Sequence, residues 1–116
     1  MSVVIYHNPK CSKSRETLAL LESKGVSAEV IRYLDEPLSL SVLKQLYQQL
    51  ELSEVRSMMR TKEALYKELN LNDPTVSDEA LFNAMIEHPK LIERPIVVCN
   101  GKARHGRPPE QVLAIL

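Results

Sequence analysis

The chain has 116 residues, 44% hydrophobic and 4% aromatic, with 15 basic and 15 acidic side chains and a formal net charge of zero. That length suits one compact domain whose core is built from Leu, Val, Ile and Met. Neutrality argues against a broad nucleic-acid surface, no stretch approaches the roughly 18 apolar residues of a membrane span, and two cysteines are too few for a secreted disulfide framework.

Val3-Val4-Ile5-Tyr6 is a continuously apolar run, the pattern of a buried strand. It has neither the charged n-region nor the long apolar stretch of a signal peptide, so a cytoplasmic protein is expected. His7-Asn8-Pro9 turns the chain. Ser12 and Ser14 are available to cap a helix through Leu18 and Leu21 to Lys24, with Gly25 as its stop. Residues 28–33 read as a second strand, and β–α–β at this spacing implies a right-handed parallel crossover.

Asp35-Glu36-Pro37 breaks the chain, and Ser39 caps a helix whose Leu43, Leu46, Tyr47 and Leu50 form one apolar stripe. Ser53 opens a shorter helix toward Met58 and Met59, and another helical piece covers about 62–69. Ser77, with Asp78 and Glu79 behind it, starts a helix through Leu81, Ala84, Met85 and His88 that Pro89 ends.

Ile96-Val97-Val98-Cys99 is an apolar strand, and Asn100-Gly101 is a strong hairpin signal, so residues 102–105 return antiparallel. Pro108-Pro109 then starts a last helix with Val112, Leu113 and Leu116. This order predicts an α/β, thioredoxin-like domain spanning 1–116: a mixed four-stranded sheet with flanking helices and a helical insertion.

Chemistry concentrates at Cys11, placed at the start of the first helix. The helix dipole and free N–H groups there favour a thiolate, and the same N–H groups can cradle an oxyanion. The charge pattern agrees. Residues 1–15 carry Lys10, Lys13 and Arg15 without an acid, and residues 94–109 carry Arg94, Lys102, Arg104 and Arg107 without an acid. Residues 16–93 between them hold 8 basic and 14 acidic side chains. Two basic ends on a neutral chain suit a local anion site.

Cys11-Ser12-Lys13-Ser14 is not C-x-x-C, so an ordinary dithiol cycle is excluded and Cys11 needs an external thiol or Cys99. Cys99 ends an apolar strand and is read as a packing residue. Arg60, Arg94 and Arg107 lie at element ends, where guanidinium groups could hold a tetrahedral oxyanion by paired hydrogen bonds. Pro95, before a core strand, is a cis-proline candidate. His7 could tune Cys11 electrostatically, His88 is a helix-end residue and His105 is expected at the surface; none has metal-ligand spacing with the cysteines.

Together, 5–15, Met59-Arg60-Thr61-Lys62, Arg94-Pro95-Ile96-Val97-Val98 and Gly106-Arg107-Pro108-Pro109-Glu110 resemble the glutaredoxin-dependent arsenate reductase family, in order and interval, across essentially the whole chain. The resemblance implies that Cys11 attacks arsenate held by Arg60, Arg94 and Arg107, with His7 lowering the thiol pKa. Glutathione, a co-substrate rather than a bound cofactor, and glutaredoxin would then complete reduction to arsenite. Two other readings stay open: a non-enzymatic Spx-like transcription regulator, against which Ser14 argues because it replaces that group's switch cysteine, and a related thiol enzyme acting on another oxyanion or on glutathione mixed disulfides.

Overall fold

The first apolar run becomes β1 (Val3–Tyr6) at the centre of a sheet in a computed structural model that describes residues 2–116. The strand order is β2-β1-β3-β4, with β2 (Ala28–Ile31), β3 (Ile96–Cys99) and β4 (Lys102–His105). β2 runs parallel to β1, while β3 and β4 add antiparallel pairs. Val3 faces Cys99 and Ile5 faces Val97 across the β1–β3 register. This is the mixed, thioredoxin-like sheet that the element order predicts.

The chain forms two compact units: one holds the chain up to Glu36 together with Arg94–Leu116, the other Pro37–Glu93. The first contains the sheet, α1 (Ser12–Ser23) and a C-terminal 3-10 helix (Pro109–Ile115). Its core lies on one sheet face. Val3, Ile5, Val97 and Cys99 pack there with Leu21 of α1 and with Val112 and Ile115. Alternation puts these strand residues on the same face, and each fully buried aliphatic side chain contributes about 1.5–3 kcal/mol. Both basic segments of the chain fall in this unit.

The second unit is helical, with α2 (Leu40–Gln49), a 3-10 turn (Val55–Met58), α3 (Ala64–Glu68), α4 (Asp78–Glu87) and a 3-10 turn (Pro89–Leu91). Ser39 and Ser77 cap α2 and α4, accepting from the N–H groups of Val42 and Ala80. Leu43, Leu46 and Leu50 of the expected stripe are buried with Leu81, Phe82 and Met85. Tyr47 meets Phe82 edge to face with ring centroids 5.7 Å apart.

Several local expectations need correction. Ser12 and Ser14 do not cap α1: the N-cap position belongs to Cys11, which makes no side-chain cap bond. β2 stops at Ile31, because the next carbonyl, Arg32 O, accepts from Asp35 and Glu36 N–H while Arg32 N–H donates to the Glu36 carboxylate. Where α-helices are expected toward Met59 and after Pro108, Val55–Met58 and Pro109–Ile115 wind as 3-10 helix. Pro89 begins a 3-10 turn as well as closing α4. His105 is half-buried on β4 rather than at the surface.

Candidate active site

Cys11 ends the loop after β1 with an extended backbone, φ −96° and ψ 124°. Its N–H donates to Asn8 O at 3.0 Å, and its carbonyl accepts from Arg15 N at 3.0 Å, the first helical bond of α1. The free N–H groups of Lys13 and Ser14 in the first turn lie on the side of the Cys11 sulfur and favour its anion. No acidic residue occupies the first turn, so nothing there opposes an anion.

Cys11 is buried, with 8% of the residue exposed. Burial alone pushes its pKa up, but four influences outweigh it: the Ser14 N–H, the Arg94 charge, the Lys13 N–H and a hydrogen bond from the Arg94 side chain. The net pKa lies below the ordinary thiol value of 9.0. A reactive thiolate is what this arrangement favours.

Arg94 reaches Cys11 from the segment before β3. The Arg94–Pro95 and Arg107–Pro108 peptides are both cis. Arg107 is exposed and donates from Nη1 to Arg94 O at 3.3 Å, so the two arginines come from adjoining backbone segments. Gly106 N–H donates to Pro95 O at 3.0 Å and closes the same junction. Cys11, Arg94, Pro95 and Arg107 are thus gathered in the first unit. Arg60 lies in the second, where its guanidinium pairs with Glu63 at 3.1 Å and its N–H donates to Leu91 O at 2.7 Å.

His7 is buried, 5% exposed, with Nδ1 2.6 Å from Ser14 Oγ. Burial lowers its pKa from 6.5, and the charges of Arg32 and Arg15 lower it further, so the neutral ring is favoured. In the neutral tautomer with Nδ1 unprotonated, Ser14 donates to it while Ser14 Oγ accepts from Asn8 N–H at 3.0 Å. Two other cations of the first segment, Arg15 and Lys13, have local partners. Arg15 Nη1 donates to Pro9 O at 3.0 Å, and Lys13 pairs with Glu16 at 3.4 Å on the surface.

Cys99 is 1% exposed and belongs to the sheet core; both cysteines are free thiols. Among the described residues no group of three His, Cys, Asp or Glu is arranged to hold a metal ion, and no helix is long and apolar enough to cross a membrane. A groove of about 590 Å³ runs along α1 and the C-terminal 3-10 helix past Lys13, Glu16, Leu20, Ser23 and Pro109, and Cys11 does not line it. Ser14, expected as a cap and as the position of an absent cysteine, instead bonds His7. Thr17 carries no sequence signal beyond a hydroxyl on what proves to be the buried side of a helix.

A sequence model of the ArsC family matches residues 6–115. A solved structure of arsenate reductase from Vibrio cholerae is 75% identical, covers 100% of this chain and 98% of its own, and superposes with a TM-score of 0.99. The uncharacterized protein YfgD of Escherichia coli K12 is 60% identical over 98% of this chain and 96% of its own length. An arsenate reductase of Haemophilus influenzae is 55% identical over 100% of both chains.

Proposed function

Because the chain belongs to the ArsC family, we propose that it is an arsenate reductase in which Cys11 is the nucleophile and glutathione and glutaredoxin are the external reductants. The observation that carries this reading is the Cys11 thiol at the N-terminus of α1, faced by the N–H groups of Ser14 and Lys13 and by Arg94. Relatives named arsenate reductase add support for the substrate.

In the proposed reaction the Cys11 thiolate attacks arsenic, and one arsenate oxygen leaves as water after protonation. Glutathione then attacks arsenic, and a second oxygen leaves as water after protonation. A glutaredoxin thiolate takes the glutathionyl sulfur, and the electron pair of the bond between that sulfur and arsenic stays on arsenic; water then displaces the Cys11 sulfur and arsenite leaves. The balance is arsenate plus two thiols giving arsenite, water and the glutathione–glutaredoxin mixed disulfide. Arsenic gains two electrons, the two external thiols lose them, and Cys11 returns unchanged. With Ser14 where a C-x-x-C motif has its second cysteine, an external thiol has a defined task.

Arg94 and Arg107 supply charge-assisted hydrogen bonds to the oxyanion and to the charge that builds on it. Arg60 enters from the family resemblance. His7 acts through Ser14: a neutral ring that holds the hydroxyl also steadies the N–H that faces sulfur. One domain over 1–116 and a cytoplasmic setting belong to the same proposal, since a reducing compartment supplies glutathione and keeps both cysteines free. The test is arsenite formation from arsenate with glutathione and glutaredoxin. Turnover that requires all three and vanishes in Cys11→Ser supports the reading, and no arsenite under those conditions overturns it.

A further inference from the structure

Thr17 sits on the second turn of α1 and is fully buried. Its Oγ1 donates to Lys13 O at 2.8 Å and also lies 3.4 Å from Gly106 O, a shared hydrogen bond of unequal arms. Gly106 is 89 positions away in sequence. The approach is close because residue 106 has no side chain. A Cβ there would meet the Thr17 hydroxyl in steric overlap, Pro95 Cγ at 2.8 Å and Thr17 Cγ2 at 2.9 Å. Those atoms are a proline ring and a buried threonine, neither of which can swing aside.

The contacts around this point form a chain. Lys13, whose carbonyl Thr17 engages, presents its N–H to the Cys11 sulfur. Gly106 N–H holds Pro95 O at 3.0 Å, and Arg107 Nη1 holds Arg94 O at 3.3 Å. One hydroxyl therefore touches both halves of the site, the helix turn that presents the thiol and the segment that leads into the two arginines.

We infer that Thr17 is a positioning residue: it clasps the first turn of α1 to the Gly106–Arg107 segment and so sets Arg94 in register with Cys11. This rests on the reading of Cys11 and Arg94 as a working pair, but not on the identity of the oxyanion. Thr17→Val fills the same space without the hydroxyl, so the clasp is lost and Arg94 samples positions away from sulfur. Catalytic contact stays with Cys11 and the arginines.

The experiment is alkylation of Cys11 by iodoacetamide as a function of pH, read on the Cys11 peptide by mass spectrometry, with circular dichroism to confirm folding. Thr17→Val is expected to slow alkylation below neutral pH by about threefold or more and to move the profile to higher pH, because less thiolate is present. Thr17→Ser keeps the hydroxyl and should follow the wild type. In an Arg94→Ala background, Thr17→Val should add nothing, since both changes act on one contact. Thr17→Ala serves if the valine variant does not fold. A folded Thr17→Val or Thr17→Ala protein with the wild-type profile, while Arg94→Ala is shifted, would overturn the clasp and leave the thiolate site standing. An unshifted Arg94→Ala profile would overturn both.

Discussion

His7 Nδ1 and Ser14 Oγ lie 2.6 Å apart in a buried contact, and the N–H of the same Ser14 faces the Cys11 sulfur. The loop leaving β1 and the first turn of α1 are thereby joined where the thiolate forms. A free first turn would fray, and its N–H groups would point at solvent as often as at sulfur. Held by His7, they stay aimed.

The alkylation rate of Cys11 should therefore follow a titration centred below the ordinary thiol value of 9.0. Arg94→Ala removes both a positive charge and a hydrogen bond, so its profile should move to higher pH. A wild-type midpoint at the ordinary value would remove the physical basis of nucleophilic attack.

His7 makes a separate prediction about stability. Its pKa is lowered in the folded protein, so below about 6.5 the unfolded chain binds a proton that the folded chain resists. The stabilisation is whole above that pH, falls as the pH drops through it, and levels off under the folded-state value. Urea midpoints from about pH 8 to about pH 5 should fall on the acid side, and His7→Gln should flatten that part of the curve. An unchanged slope in the variant would assign the acid sensitivity to other groups.

Charge-assisted hydrogen bonds contribute roughly 1.5–3 kcal/mol each, so Arg94→Ala and Arg60→Ala should lower kcat/KM for arsenate by about 10- to 150-fold. Arg107 is exposed, so its loss belongs at the low end of that range. Lysine at these positions restores charge without the paired geometry and should rescue only in part. Sulfate should compete with arsenate. Three folded variants within about twofold of the wild type would show that the oxyanion is held elsewhere.

Cys99 provides the contrast. It is buried in the sheet core, opposite Val3 of β1. Cys99→Ala should cost about 1–2 kcal/mol of stability through lost packing and leave kcat/KM within about twofold, whereas Cys11→Ser should abolish turnover. Loss of turnover in folded Cys99→Ala would point to an internal disulfide relay.

Much of this protein is written in short-range signals. The apolar runs at Val3 and Ile96, the caps at Ser39 and Ser77 and the stripe on α2 are interactions within a few residues, and each formed where the local pattern put it. The turn at Asn100-Gly101 is another: φ is 54° and 77°, the left-handed pair that a tight hairpin requires. Cys11 at a helix start is equally local, and so was visible. The β2 end was not, because the bond from Arg32 N–H to the Glu36 carboxylate competes with the ladder at marginal cost. The site beyond Cys11 is a matter of tertiary structure. Arg94 meets sulfur only because β1 and β3 pair antiparallel, which brings Tyr6 opposite Ile96. Thr17 meets Gly106 only because a residue without a Cβ lets two distant backbones approach. Periodicity and capping carry no information on such contacts, since their energy is realised only once the sheet has closed the long loop between them.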